Sequence, residues 1–221
     1  MSVIEIISKY RVEFLLGLLT TLKLCSIIWL IGIIVGALLG IAGSKWKKAV
    51  GMPSRLASFV LSGVPILVLL FWLHYPLQSM LGVVIDPFLT AALALTTVNV
   101  FLVADTIRNA MLDFPLQFSQ AAKVCGISGR DIVLRIQIPI ILRQVLSGLL
   151  LIQVNMLQAT LFASLISVDE IFRIAQRVNS EVYRPVEIYT ALAFLFLIVC
   201  LPLNGLSLWL KAKYTRDFSE K

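Results

Sequence analysis

Five stretches of this chain contain no Asp, Glu, Lys or Arg: 24–44, 56–85, 87–104, 144–168 and 188–210. The shortest runs for 18 residues and the longest for 30. About 18 apolar residues, each adding about 1.5 Å of helix, suffice to cross the hydrocarbon core of a bilayer. No water reaches that core, so each run must satisfy its own backbone N–H and C=O groups as a helix. Composition points the same way: 59% of the 221 residues are hydrophobic and only 14% are charged, too little polar surface to cover a water-soluble core. The sequence predicts an all-α integral membrane protein of five transmembrane helices in one domain, 1–221, with approximate spans at 14–43, 55–82, 87–108, 137–168 and 187–210.

The basic residues set the orientation. Lys45, Lys47, Lys48 and Arg55 lie between the first two spans, Arg108, Lys123, Arg130, Arg135 and Arg143 between the third and fourth, and Lys211, Lys213, Arg216 and Lys221 in the tail. These thirteen face five on the other side (Lys9, Arg11, Arg173, Arg177 and Arg184), with Lys23 inside the first run. The excess marks the cytoplasmic face and predicts the amino terminus outside and the carboxyl terminus inside. The net charge of +7 is thus accounted for by topology, and a basic face for nucleic acid is the lesser reading. Cys25, Cys125 and Cys200 form no C-x-x-C pair, so spacing predicts neither disulfide nor zinc, only small apolar packing. The first residues lack the features of a cleaved leader, and the first hydrophobic segment is expected to remain as an anchor.

Within the spans, Gly32, Gly36 and Gly40 recur every fourth position, a spacing that lets another helix approach closely. Pro65 is expected to kink the second span. Asp105 and Arg108 are placed for a same-face ion pair at the cytoplasmic boundary. Asn99 in the third span and Gln153, Asn155, Gln158 and Thr160 in the fourth are polar groups in an apolar setting, either lining a solute pathway or bonding neighbouring helices. His74, beside Trp72 and Tyr75, reads as an interfacial belt residue. Asp169, Glu170, Arg173, Arg177, Glu181, Arg184 and Glu187 have roughly helical spacing and predict an amphipathic helix on the outer surface, its charges forming either a landing face for an external partner protein or a solvated, self-paired face.

The 112–136 segment between the third and fourth spans is long for a connection and too apolar for a loose linker. Pro115 suits a first helical turn, Gly126 a left-handed end. Ala121 and Ala122 give a patch of low relief flanked by Phe114, Phe118 and Val124, the shape of a short helix that seats in a groove on another protein.

The run QAAKVCGISGRDIVLRIQIP, Gln120 to Pro139, resembles the cytoplasmic signature loop of ATP-binding-cassette importer permeases, E-A-A-x3-G-x9-I-x-L-P. Gln120, Ala121, Ala122, Gly126, Ile136, Ile138 and Pro139 fall on its positions without a gap, with Gln120 for the usual Glu and Ile138 for the usual Leu. GLLTTLKL at Gly17–Leu24, the G-x-P of Gly63 and Pro65, the acidic-x-x-Arg of Asp105 and Arg108, and RPVEIYTALAFLFLI at Arg184–Ile198 are similar to the polar amino acid branch of that family, the histidine, glutamine and arginine permeases.

The resemblance implies the type I importer permease fold, in a bacterial inner membrane, with the 112–136 loop forming a coupling helix on a separate ATPase. Gln120, Ala121, Ala122, Gly126 and Pro139 would make that coupling contact. It implies a second permease subunit, identical or not, an ATPase dimer carrying ATP and magnesium, and an extracytoplasmic solute-binding protein. This chain has no G-x-x-x-x-G-K-[ST] phosphate loop, so it is expected to hold no cofactor, and the hydrolysis is expected in the other polypeptide. Two departures bear on the solute. The family's L-K-D-T-S-L reads Leu157-Gln158-Ala159-Thr160-Leu161-Phe162 here, and its G-T-P reads Gly63-Val64-Pro65. Either the solute is neutral or unusual, or the other subunit of a heterodimer makes the ligand contacts. Outside this family, hydropathy alone leaves open a channel or a structural membrane subunit without ATP coupling, and the signature loop separates the readings. An intramembrane enzyme fits poorly, because no nucleophile with its base, metal-ligand set or paired intramembrane carboxylates is present.

Overall fold

The computed structural model describes residues 3–219; Lys221, counted above in the basic tail, lies outside the described residues, as do Met1 and Ser2 at the start of the expected interfacial helix. Among the described residues the chain is helical and has no strand. Helix α1 (Val3–Lys9) leads through Tyr10 into α2 (Arg11–Lys45). A π-helical turn at Lys47–Gly51 joins α3 (Met52–Gly63), followed by α4 (Ile66–His74), α5 (Pro76–Leu81) and α6 (Pro87–Leu112). Helix α7 (Leu116–Val124), the turn α8 (Gly129–Asp131), a π-helical segment at Ile132–Gln137, α9 (Ile138–Ala159) and a 3-10 segment at Thr160–Ile166 come next. The chain ends with α10 (Ile171–Val182) and α11 (Pro185–Ser219).

Four helical stretches among the described residues are long and apolar enough to cross a membrane: Arg11–Lys45, Pro87–Leu112, Gly129–Ile166 and Pro185–Tyr214. A fifth exists only if the pair Lys47–Gly63 and Ile66–Leu81, bent by 98°, counts as one broken span. The expected kink at 55–82 is therefore a full break. Proline drives the preceding residue out of the helical region, and Val64 is extended, at φ −96° and ψ 124°.

The fourth stretch also differs from the expected 137–168, because it is helical from Gly129. Pro139 has no N–H to return to the preceding turn. The chain passes it by widening into a π turn, in which the Ile138 N–H reaches Val133 five residues back.

Helix α6 is the axis of the bundle, and its most apolar window is 61% buried. Asp86 caps its start by accepting the Leu89 N–H at 3.2 Å, with Pro87 in the first turn. Helix α2 runs parallel to it: Gly32 meets Asn99, Gly36 meets Val100 and Val103, and Gly40 meets Ala104 and Ile107. The four-residue glycine spacing thus opens a seam within this chain rather than for a partner. Helix α9 runs the opposite way and α11 packs against it, Ser207 donating to the Ser147 carbonyl at 2.7 Å.

Helix α10 buries Ile171, Ile174, Ala175 and Val178 against α2 and α11, in a core that includes Ile6, Ile188 and Leu192. The Ile171 N–H donates to Thr21 Oγ1 at 3.1 Å. Asp169 pairs with Arg173 and Arg177 on the exposed side, as the spacing predicts. Glu170, predicted on that same face, is instead fully buried. Its two carboxylate oxygens accept the Phe172 and Arg173 N–H groups at 2.9 and 2.8 Å, so helix capping takes it out of the solvated set.

Candidate functional site

Helix α7 and its flanks lie at the end of the bundle where α6 ends, opposite α10. Two forces fix its geometry. Phe114 is buried beneath its start, and Ser119 accepts a hydrogen bond from Gln137 Nε2 at 3.0 Å, tying α7 to the π-helical segment. At its other end Gly126 adopts φ +75°. The Ile127 N–H bonds the Ala122 carbonyl and the Gly126 N–H that of Lys123, both at 3.0 Å, the double closure that a glycine-terminated helix makes. A Cβ on Gly126 would meet nothing within 4 Å, so backbone conformation alone demands glycine there.

Ala121 and Ala122 do not share a face. Ala122 is buried against the bundle, while Gln120, Ala121, Lys123, Cys125 and Gly126 are exposed. Val124 is 90% exposed, an apolar side chain left in the open beside the Ala121 flat. Cys25 and Cys200 are buried but Cys125 is exposed, so apolar packing accounts for two of the three thiols. Pro139 lies outside this surface, at the start of α9.

The intramembrane polar residues divide into two groups. Asn99 is fully buried; its Nδ2 donates to the Ile28 carbonyl at 2.9 Å and to Gln153 Oε1 at 3.0 Å, and Gln153 Nε2 donates back to Asn99 Oδ1 at 3.2 Å. The Gln153 carbonyl also accepts the Trp29 indole N–H at 3.1 Å. Thr160 is buried and donates to the Leu157 carbonyl at 2.7 Å. Asn99 and Gln153 thus bond α2, α6 and α9 to one another, while the Thr160 bond stays within its own helical stretch. Asn155 and Gln158 are exposed one turn apart on α9, the face the bundle leaves open.

Arg108 is buried and donates to Asp105 and Asn109, with its Nε lacking a partner among the described residues. At the opposite end, His74 Nδ1 lies 3.3 Å from Gln78 Nε2 and 3.4 Å from Thr90 Oγ1, an inward link that the aromatic-belt reading did not contain. Burial pushes the Glu170 carboxyl up to about 7, against the pull of the Phe172 and Arg173 amides and the Arg173 guanidinium.

Residues 30–216 match the family described as binding-protein-dependent transport system inner membrane component. The chain belongs to that family. The permease is similar, at 29% identity, to the octopine transport system permease protein OccM of Rhizobium meliloti, over 93% of this chain and 89% of the relative. It is 25% identical to the histidine/lysine/arginine/ornithine transport system permease protein HisQ of Salmonella typhimurium, over 90% and 92% respectively. A crystal structure of an amino acid ABC transporter with histidines superposes with a TM-score of 0.81 at 24% identity, covering 94% of this permease and 96% of that chain, which shows the fold. The sequence signal for the exposed end of α7 was its glycine and helix formers. The Asn99–Gln153 amide pair had no such signal, because its partners are 54 residues apart.

Proposed function

We propose that this permease is one membrane subunit of an ATP-driven importer of a polar amino acid or a close derivative, and that α7 is the lever by which a separate ATPase, carrying ATP and magnesium, moves it. The observation that carries the reading is the closure of α7 on Gly126, which leaves Ala121, Val124 and Cys125 exposed beyond a helix whose other face is bonded to the bundle. A lever must be rigid on the inside and unoccupied on the outside. The Ser119–Gln137 bond and buried Ala122 supply the first property, and the bare Val124 supplies the second.

Closure of an ATPase dimer would pull α7, and the Gln137 bond would pass the motion into α9, whose exposed Asn155 and Gln158 would face a second permease subunit across the pathway. Alternation between inward-open and outward-open states follows from such a hinge. The solute class is supported by the names of the relatives, and the uneven distribution of basic residues supports a cytoplasmic α7, an external amino terminus and capture from an extracytoplasmic binding protein.

Cys125 supplies a test that needs no solute. A maleimide should label it rapidly in the permease alone, and at least tenfold more slowly once the ATPase is bound, while buried Cys25 and Cys200 stay unlabelled. In the reconstituted complex, Gly126→Val should lower the uptake of labelled amino acids while leaving insertion intact, since a left-handed backbone costs a residue with a Cβ about 1–2 kcal/mol. Equal labelling with and without the ATPase, together with unchanged uptake, would refute the coupling role.

A further inference from the structure

Arg143 immediately precedes the charge-free run 144–168, and Lys211 immediately follows the run 188–210. Each cation therefore stands where a helix enters the membrane. The antiparallel packing of α9 on α11 brings both to one cavity of about 370 Å³, which they line with Gln144, Ser147 and Tyr214. Asp113 and Pro115, from the segment leading into α7, line it as well. That volume is within the range of small-molecule sites.

The cavity has the chemistry of an anion site. Among the described residues neither Arg143 nor Lys211 forms an ion pair; the Arg143 guanidinium lies 5.8 Å from the centre of the Tyr214 ring. The Gln144 amide and the Ser147 and Tyr214 hydroxyls make no hydrogen bond among the described residues. Two cations and three unengaged polar groups match the needs of a phosphate oxyanion. The depth matches a lipid headgroup. Trp209 lies on the same helix with the Lys213 ammonium 4.8 Å from its ring centre, a pairing typical of the membrane interface. Leu208 and Leu201, three and ten residues before Lys211 and so on its face of α11, are exposed and offer a path for acyl chains.

We propose that this cavity binds the phosphate of an anionic phospholipid headgroup, held by Arg143 and Lys211 with its chains along α11. Basic pockets between membrane helices on the cytoplasmic side recognise such headgroups. Asp113 opposes the anion, so its removal should tighten binding. The site depends on the span assignment and not on the identity of the transported solute.

The test titrates the delipidated, detergent-solubilised transporter complex with phosphatidylglycerol or phosphatidylcholine and counts bound lipid by native mass spectrometry. The complex should retain phosphatidylglycerol selectively. Each cation near the surface contributes about fivefold in affinity, so Arg143→Gln with Lys211→Gln should weaken that lipid about 25-fold and leave phosphatidylcholine unchanged. Ser147→Phe, which fills the cavity without altering charge, should weaken it too, and Asp113→Asn should strengthen it. Lys45→Gln with Lys48→Gln removes the same charge from another loop and should have no effect. Inorganic phosphate in large excess should not displace the lipid. The proposal is overturned if the Lys45 and Lys48 changes weaken binding as much, if Ser147→Phe leaves it intact, if the assembled complex shows no lipid selectivity, or if free phosphate displaces the lipid with the same dependence on Arg143 and Lys211.

Discussion

Replacing Gly36 by Ala tests the seam on which α2 and α6 meet. An added Cβ would lie 2.7 Å from Val103 Cβ and 2.8 Å from the Val100 carbonyl oxygen, where ordinary contact begins at 3.4 Å. The obstruction includes backbone, so no rotamer change relieves it, and α6 would have to retreat by about 0.7 Å along a tightly packed seam. Overpacking of this kind costs about 1–3 kcal/mol, and the better helix propensity of alanine returns up to about 1 kcal/mol. The net loss is about 1–2 kcal/mol, which for a chain of this size lowers the melting temperature by about 2–8 °C. Gly205→Ala is the matched control, since its Cβ would meet nothing within 4 Å and only the propensity gain applies. Thermal unfolding of the detergent-solubilised permease, followed by its tryptophan fluorescence, reads both. If Gly36→Ala melts at or above the wild type, or if the two alanine variants move together, the close-approach account of the seam is wrong.

A double-mutant cycle on Asn99→Ala and Gln153→Met should give a coupling energy of about 0.6–2 kcal/mol; a coupling of zero would mean that the two amides do not share their bonds. By contrast, Asn155→Ala and Gln158→Ala, on the open face of α9, should leave melting within about 0.5 kcal/mol of wild type but lower uptake several-fold, and unchanged uptake would remove them from the solute pathway. The Glu170 carboxyl ionises near 7 in the fold and at 4.5 by its usual value, so the folded chain binds the extra proton between those limits. Its contribution, up to about 3 kcal/mol, is complete below pH 4.5 and is lost as pH rises through 7. Melting temperatures across that window should fall less steeply in Glu170→Gln than in wild type, and parallel slopes would contradict the burial argument. Asp105→Asn should cost about 1–3 kcal/mol, because it weakens the contact to Arg108, whose Nε already lacks a partner among the described residues; an unchanged melting curve would count against a structural pair.

Much of this architecture was legible because hydropathy and punctuation act locally. A charge-free run of 18 or more residues leaves the backbone little choice but helix, and a glycine after a short helical segment announces its left-handed end, as at Gly126. What the sequence hid was relational. Nothing in the spacing of Asn99 and Gln153 says that they bond one another, or that Gly32 exists to admit that amide, since a Cβ there would collide with Asn99 Nδ2. The π turn before Pro139 was equally hidden, because it depends on how the helix accommodates a missing donor. Glu170 was misplaced for a related reason: a carboxylate at the start of an amphipathic helix can join the solvated face or turn back to cap the amides, and helical periodicity does not distinguish the two. Arg143 and Lys211 were readable as charges, but the crossing of α9 and α11 that brings them together was not.

The bend at Val64 and Pro65 imposes a requirement on whatever surrounds it. Neither arm is a full crossing: Lys47–Gly63 has 17 residues and Ile66–Leu81 has 16, which at about 1.5 Å per residue gives rods of about 26 and 24 Å, short of a hydrocarbon core of about 30 Å. Each rod presents dangling carbonyls or amides at the elbow, within a stretch that carries no charged side chain from 56 to 85. Hydrocarbon cannot solvate such groups, so the elbow must be clad by another polypeptide or bathed by an aqueous passage. This corner of the chain therefore cannot face bare lipid.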